Sequence, residues 1–168
     1  MLPRFRSCTT DADLAQFTLA FIRQRSDFNS LFRLVDVLAM MLETLPDSLV
    51  ILLEDEAGRT IGWIHYQYLN EELLPDPRGE VAFINSVILA EPYRSSRTFF
   101  HGFRRLAAHI REENSAVKEV RFFAQTENAY LNRLYAKFAS IVEHRDGYHG
   151  PEHVYATDFS RLLSYLRC

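Results

Sequence analysis

Between Leu31 and Leu45 the apolar residues Leu31, Val35, Leu38, Leu42 and Leu45 recur at steps of three and four, which puts them on one face of a helix. Pro46 ends that helix, since proline clashes with the preceding turn and offers no amide to it. Upstream, Leu14, Phe17, Phe21 and Ile22 show the same spacing after "TTDADL", where Thr10 or Asp11 can cap a first helix behind a short strand at "PRFRSC". The period then changes. "SLVILLEDEAGRTIGWIHYQYL" reads as two strands joined by a turn at "DEAGR". The acidic loop "NEELLPDPRGE" leads to a long strand, "VAFINSVIL", and a helix from about Ser96 to Glu113. A strand at "VKEVRFFA" and a helix at "NAYLNRLYAKFA" follow, and "SIVEHR" and "VYATDF" form a hairpin across "DGYHGPEH". The order β α α β β β α β α β β predicts an α/β (mixed α+β) fold, a mostly antiparallel sheet flanked by helices.

A chain of 168 residues suits one domain, 1–168, with a sizeable core. A net charge near −3 gives no general attraction to nucleic acid or an anionic membrane, so neither partner is expected. Cys8 and Cys168 stand at opposite ends of the chain, without a disulfide framework or metal-ligand spacing. The N-terminal segment lacks the apolar core of a signal peptide, and the apolar runs are too short to span a bilayer. A cytoplasmic setting is the expectation. His144, His149 and His153 fit no familiar metal site, and a hairpin tip with Gly147, Gly150 and Pro151 accounts for the segment; no metal is expected.

Chemistry concentrates at "EPYRSSRTFF", where a strand turns into a helix. Phe99, Phe103, Leu106 and Ile110 should face the sheet, leaving Arg97, His101, Arg104, Arg105 and Arg111 opposite, with no carboxylate from Pro92 to Arg111. Arg104, Arg105 and Arg111 read as a solvated face. Arg94 and Arg97 sit where unpaired amides and the helix dipole already attract anions.

Two stretches together resemble the GNAT superfamily of N-acyltransferases. "LAEPYRSSRTF" is similar to the family pattern V-x-P-x-Y-R-G-x-G-x-G at Tyr93 and Arg94, with the proline shifted to Pro92. "NAYLNRLYAKFAS" is similar to N-x-x-A-x-x-L-Y-x-K-x-G-F at Asn128, Leu134, Tyr135 and Lys137. The resemblance implies a gap between the strands "INSVIL" and "VRFFA" that takes the pantetheine arm of acetyl-CoA or another acyl-CoA. The arm would pair with the backbone of Val87, Ile88 and Leu89, and the pyrophosphate would rest on Ser95, Ser96, Arg97, Thr98 and Phe99, with Arg94 and Asn128 as further contacts. Tyr135 matches the tyrosine that protonates the leaving thiolate.

Two departures qualify this picture. The family glycines correspond to Ser95, Arg97 and Phe99, so Arg97 has to supply a side-chain contact and Phe99 has to turn inward. The family's glutamate base corresponds to Asn85, which cannot take a proton but can orient a water or the acceptor; Glu80, His65 or a water chain are substitutes, none of which stands out. The expected function is acyl transfer, most simply of acetyl, to an amine acceptor by direct attack. The alternatives are an acyltransferase fed by an acidic acyl carrier protein, docked on the basic helix face, and a GNAT-like binding or regulatory module without catalysis. The family resemblance also implies a possible homodimer.

Overall fold

The computed structural model describes residues 3–28, 30–94, 96–147 and 150–168. In chain order the elements are β1 (Arg4–Ser7), α1 (Asp11–Phe28), α2 (Leu34–Thr44), β2 (Leu49–Glu54), β3 (Thr60–Leu69), β4 (Val81–Leu89), α3 (Ser96–Glu113), β5 (Glu119–Gln125), α4 (Ala129–Tyr135), β6 (Ser140–Gly147), β7 (Gly150–Asp158) and α5 (Phe159–Leu166). The strands hydrogen-bond in the order β1-β2-β3-β4-β5-β7-β6. β4 and β5 run parallel, while β1–β2, β2–β3, β5–β7 and β6–β7 are antiparallel. This is the mixed, mostly antiparallel α/β architecture expected from the sequence. The order carries one element more than expected, because α5 follows the closing hairpin. Asp158 caps it by accepting a hydrogen bond from the Arg161 amide at 2.9 Å, and Phe159, Leu162 and Leu166 are buried.

The residues form two compact units. The first comprises the chain up to Tyr66 with Ser86–Arg94, and the second Gln67–Asn85 with Ser95–Cys168. In the first unit, Phe17, Phe21, Phe32, Val37, Met41, Val50, Leu52, Trp63 and Ile88 make the core. Thr10 caps α1 reciprocally: its hydroxyl accepts from the Asp13 amide while the Asp13 carboxylate accepts from the Thr10 amide. Arg6 on β1 reaches both Glu54 on β2, at 2.7 Å, and Asp13, tying α1 to the strands. The β2–β3 turn matches its sequence signature, with Asp55 accepting from the amides of Ala57 and Arg59 and Gly58 at φ 75°.

α2 departs from its pattern. It begins at Leu34, so Leu31 precedes it, and it buries Val37 and Met41. Leu31, Val35, Leu38 and Leu42, the stripe that the spacing marks as apolar, are exposed.

In the second unit, α3 lies with Leu106, Ala107 and Ile110 buried. Asn114 closes it, donating to the Gly79 carbonyl at 3.0 Å and accepting from the Ala116 amide at 3.1 Å. The hydroxyl of Tyr68 donates to Glu113 at 2.6 Å. Gly79 is required because a Cβ there would lie 2.2 Å from the Leu69 carbonyl oxygen. The parallel register of β4 and β5 runs from Val81–Glu119 to Phe83–Arg121, whereas β5 continues to Gln125 paired with β7.

Candidate active site

Tyr135 ends α4, a short helix that starts because the Asn128 side chain accepts from the Leu131 amide at 3.0 Å. Its ring meets Phe122 of β5 edge-on at 4.6 Å and Tyr155 of β7 at 5.4 Å, with Phe138 at 6.2 Å. Burial among these rings, with Tyr155 and Tyr130 nearby, pushes the Tyr135 phenol up to about 12. The hydroxyl therefore keeps its proton at physiological pH and is available to give it to a base that forms beside it.

The same ring system extends to the start of α3. Phe99 lies 5.7 Å from Phe103, which packs on Phe122 at 6.1 Å and Phe138 at 5.6 Å. Phe99 thus turns inward, as helical spacing with Phe103 requires. Thr98 is half-buried beside it. Ser95 lies outside the described residues, as do the side chains of Ser96 and Arg97, whose backbone belongs to the first turn of α3.

Asn132, one turn after Asn128, organises the polar side of the cluster. Its Nδ2 donates to the carbonyls of Gln125 (2.9 Å) and Asn128 (2.8 Å). Its Oδ1 accepts from the Tyr155 hydroxyl at 2.6 Å and lies 3.2 Å from His153 Nδ1. Both acceptor positions on Oδ1 are filled, so the Tyr155 proton is committed and Tyr155 serves to wall and orient Tyr135.

Asn85, on β4, is two residues beyond Phe83 and shares its face. That face is aromatic and cationic: Phe83 stacks near Phe123 at 6.4 Å, and the Arg145 guanidinium lies 5.7 Å and 5.2 Å from the two ring centres, held by Glu152. The Nδ2 of Asn85 is buried and finds no hydrogen-bond partner among the described residues. Glu80, weighed as a base, is bound to Lys118 at 2.6 Å.

In the first unit, β4 ends with Val87 exposed, Ile88 buried and Leu89 half-buried. The carbonyl of Ile88 lies so close to Gly62 that a Cβ there would sit 2.3 Å from its oxygen. A tight turn follows, in which the amides of Tyr93 and Arg94 bond to the carbonyls of Ala90 and Glu91. Arg94 is already engaged: its Nε donates to the Leu89 carbonyl at 2.5 Å and it pairs with Asp27 of α1 at 3.2 Å. His65 is buried, and burial lowers its imidazole to about 4, so it is neutral near pH 7. The Ser48 hydroxyl gives its proton to the Thr44 carbonyl at 2.5 Å and so accepts from His65 Nε2 at 2.7 Å. His65 Nδ1 is then a buried lone pair that finds no donor among the described residues.

Solved structures with the same architecture give it a name. An acetyltransferase of the GNAT family from Staphylococcus aureus matches with a TM-score of 0.65 over 93% of this chain and 99% of that one, at 10% identity. The fold is that of the GNAT acetyltransferases. Spermidine N-acetyltransferase from Vibrio cholerae, solved with CoA and spermine, matches at TM-score 0.65 and 11% identity, covering 96% of this chain and 98% of that one. Ard1 from Thermoplasma volcanium matches at TM-score 0.65 and 15% identity, covering 94% and 98%. No family model matches the sequence, nor does any curated relative.

On this GNAT fold, Tyr135 and Phe99 come together through one set of ring contacts, and the Asn128 side chain is engaged in capping α4. Sequence reasoning missed Asn132 and Tyr155. The repeat of Asn at 128 and 132 was the available signal, but only the strand pairing shows what Asn132 meets. Among the described residues there is no cluster of three metal-ligating side chains and no helix long and apolar enough to cross a membrane.

Proposed function

We propose that the chain, residues 1–168, is an N-acyltransferase that moves an acyl group, most simply acetyl, from acyl-CoA to an amine. The observation that carries this reading is Tyr135: a phenol kept protonated by its aromatic surroundings, on a GNAT fold, at the end of a capped helix. The neutral amine attacks the thioester carbonyl, a C–N bond forms and an oxyanion develops. Backbone amides stabilise that charge, a task the family resemblance assigns to Val87–Leu89. Collapse breaks the C–S bond, and the thiolate takes the Tyr135 proton, which solvent then restores. The attacking nitrogen releases its own proton to water.

Asn85 is suited to hold that water, because its unpaired Nδ2 is a buried donor lacking only an acceptor. The V. cholerae neighbour, solved with CoA and spermine, supports a CoA-type donor and an amine acceptor. Pyrophosphate binding falls to the N-terminus of α3, where the helix dipole favours an anion and Arg97 stands where the family has a glycine.

Calorimetric titration with acetyl-CoA, CoA and pantetheine tests the donor, and thiol release on an amine panel tests the reaction. Saturable binding of acetyl-CoA with thiol release on at least one amine is the expected result. No binding of any of the three overturns the reading.

A further inference from the structure

Side chains alternate along β5, so Arg121 and Phe123 leave the sheet on the side opposite Phe122 and Tyr135. On that side Phe83 and Phe123 lie 6.4 Å apart at an interplanar angle of 25°. The Arg145 guanidinium of β6 spans both, 5.7 Å and 5.2 Å from the ring centres. Its Nε donates to Oε2 of the buried Glu152 on β7 at 3.1 Å. Gly147 makes room for that carboxylate, since a Cβ there would lie 2.1 Å from its carbon. Residues of three other strands thus fix one arginine within the second unit. Its two terminal nitrogens meet no acceptor among the described residues. We propose that this free fork receives a carboxylate on the acceptor, so that the amine acylated here belongs to an aminocarboxylate. The inference rests on the acyl-transfer reading above.

The free edge of the guanidinium sets the ligand class. The rings and Glu152 fix its plane, and the terminal nitrogens then offer two parallel hydrogen bonds, the pattern a carboxylate accepts. Holding that edge in place beforehand removes much of the ordering cost that a loose surface arginine meets on binding. Asn85 points to the same chemistry. It shares the face of Phe83, and its buried Nδ2 also lacks an acceptor. A face with donors in excess suits a ligand that brings acceptors. A protonated polyamine brings donors alone and would need carboxylates to meet it. Here Glu119 holds Arg121, Glu152 holds Arg145 and Asp158 caps α5. Glu143 stands exposed on the edge strand, where an ion pair contributes little. One guanidinium balances the single charge of a carboxylate, whereas a phosphate monoester carries nearly two.

Acceptors matched except for the carboxylate test the inference: phenylalanine with phenethylamine, leucine with isoamylamine, and β-alanine with ethylamine. Thiol release from acetyl-CoA is followed for each, with spermidine alongside. The expected result is a kcat/KM at least ~10-fold higher for the acid in one or more pairs. In Arg145→Met that ratio falls towards one, chiefly through the KM of the acid. Arg145→Lys keeps the charge without the fork and gives an intermediate ratio. If Arg145→Met fails to fold because Glu152 is left buried and unpaired, Arg145→Met/Glu152→Gln removes that charge and should show the same lost selectivity. Arg111→Met, on the exposed side of α3, leaves the ratio as it was. Equal rates within every pair, a preference for spermidine, or an acid preference that survives Arg145→Met overturns the inference and leaves acyl transfer standing. Thiol release on no amine overturns the acyl-transfer reading instead. Calorimetric titration with N-acetylphenylalanine beside N-acetylphenethylamine then judges the fork alone. Tighter binding of the acid, lost in Arg145→Met, upholds a carboxylate site, and equal or absent binding of the two ends it.

Discussion

Tyr135 holds a proton that its surroundings keep in place, and Asn85 buries a donor without an acceptor; each is a prediction. The Tyr135 hydroxyl is kept protonated by its neighbours' rings. Tyr135→Phe removes one oxygen and leaves the ring contacts to Phe122, Phe138 and Tyr155, so the fold stays. We expect kcat to fall by about 100-fold with KM nearly unchanged, as for loss of a general acid. Steady-state kinetics with acetyl-CoA check this, and an unchanged kcat would remove Tyr135 from the mechanism. Asn85 costs the fold about 1–3 kcal/mol as a buried unpaired donor. Asn85→Leu should therefore raise the unfolding free energy by about 1 kcal/mol while lowering kcat/KM, and urea titration beside the assay reads both. Motif spacing singled out Tyr135, Asn85 and Asn128 as candidates, and the structure gives their surroundings. Spacing could not reveal that Arg94 is bound to Asp27, since 67 residues separate them and only folding brings them together.

At the scale of elements, the patterns that read well were those whose apolar face meets the rest of its own unit. α3 is one: Phe103, Leu106 and Ile110 point inward as their spacing required. α2 read misleadingly, because periodicity marks an apolar stripe without saying whether the core takes it; the core took Val37 and Met41 instead. α5 was missed because "DFSRLLSYLRC" is short and follows a strand without a break, although Asp158 and the Leu162–Leu166 step signal it. Its burial makes it structural. Leu162→Ala should cost about 2–4 kcal/mol, read from a lowered urea midpoint at constant m-value. The first turn of α3 carries the donor's phosphates in our reading, so Arg97→Glu should weaken acetyl-CoA at least tenfold by calorimetry while pantetheine binding changes little. Equal weakening of both ligands would move the phosphate site elsewhere.

At the scale of the whole molecule, pH should act on stability first through His65. Burial holds its folded pKa near 4, below the ordinary value of 6.5, so the unfolded chain takes up a proton that the folded chain refuses. The stabilisation is complete above about pH 6.5 and is lost as pH falls toward 4, by about 2–3 kcal/mol at pH 4.5. The carboxylates Asp13, Asp55 and Asp158 are also depressed, chiefly by hydrogen bonds: from the Thr9 amide, the Arg59 amide and the Ser160 hydroxyl respectively. They lose their share only below about 3.8, which leaves the window between 6.5 and 4 to the histidine. Trp63 is the chain's one tryptophan; it packs on Phe17 at 5.8 Å, the Phe17 ring lies 5.4 Å from that of His65, and the Trp63 indole donates to Ser86 at 3.0 Å. Its fluorescence therefore reports the unit that holds His65. Urea titrations followed by that signal at pH 7, 5.5 and 4.5 should show falling stability in the wild type. His65→Phe, which keeps a flat ring beside Phe17 and removes the titrating nitrogen, should give a nearly level profile over the same range. A slope that survives the substitution would assign the acid sensitivity to another group.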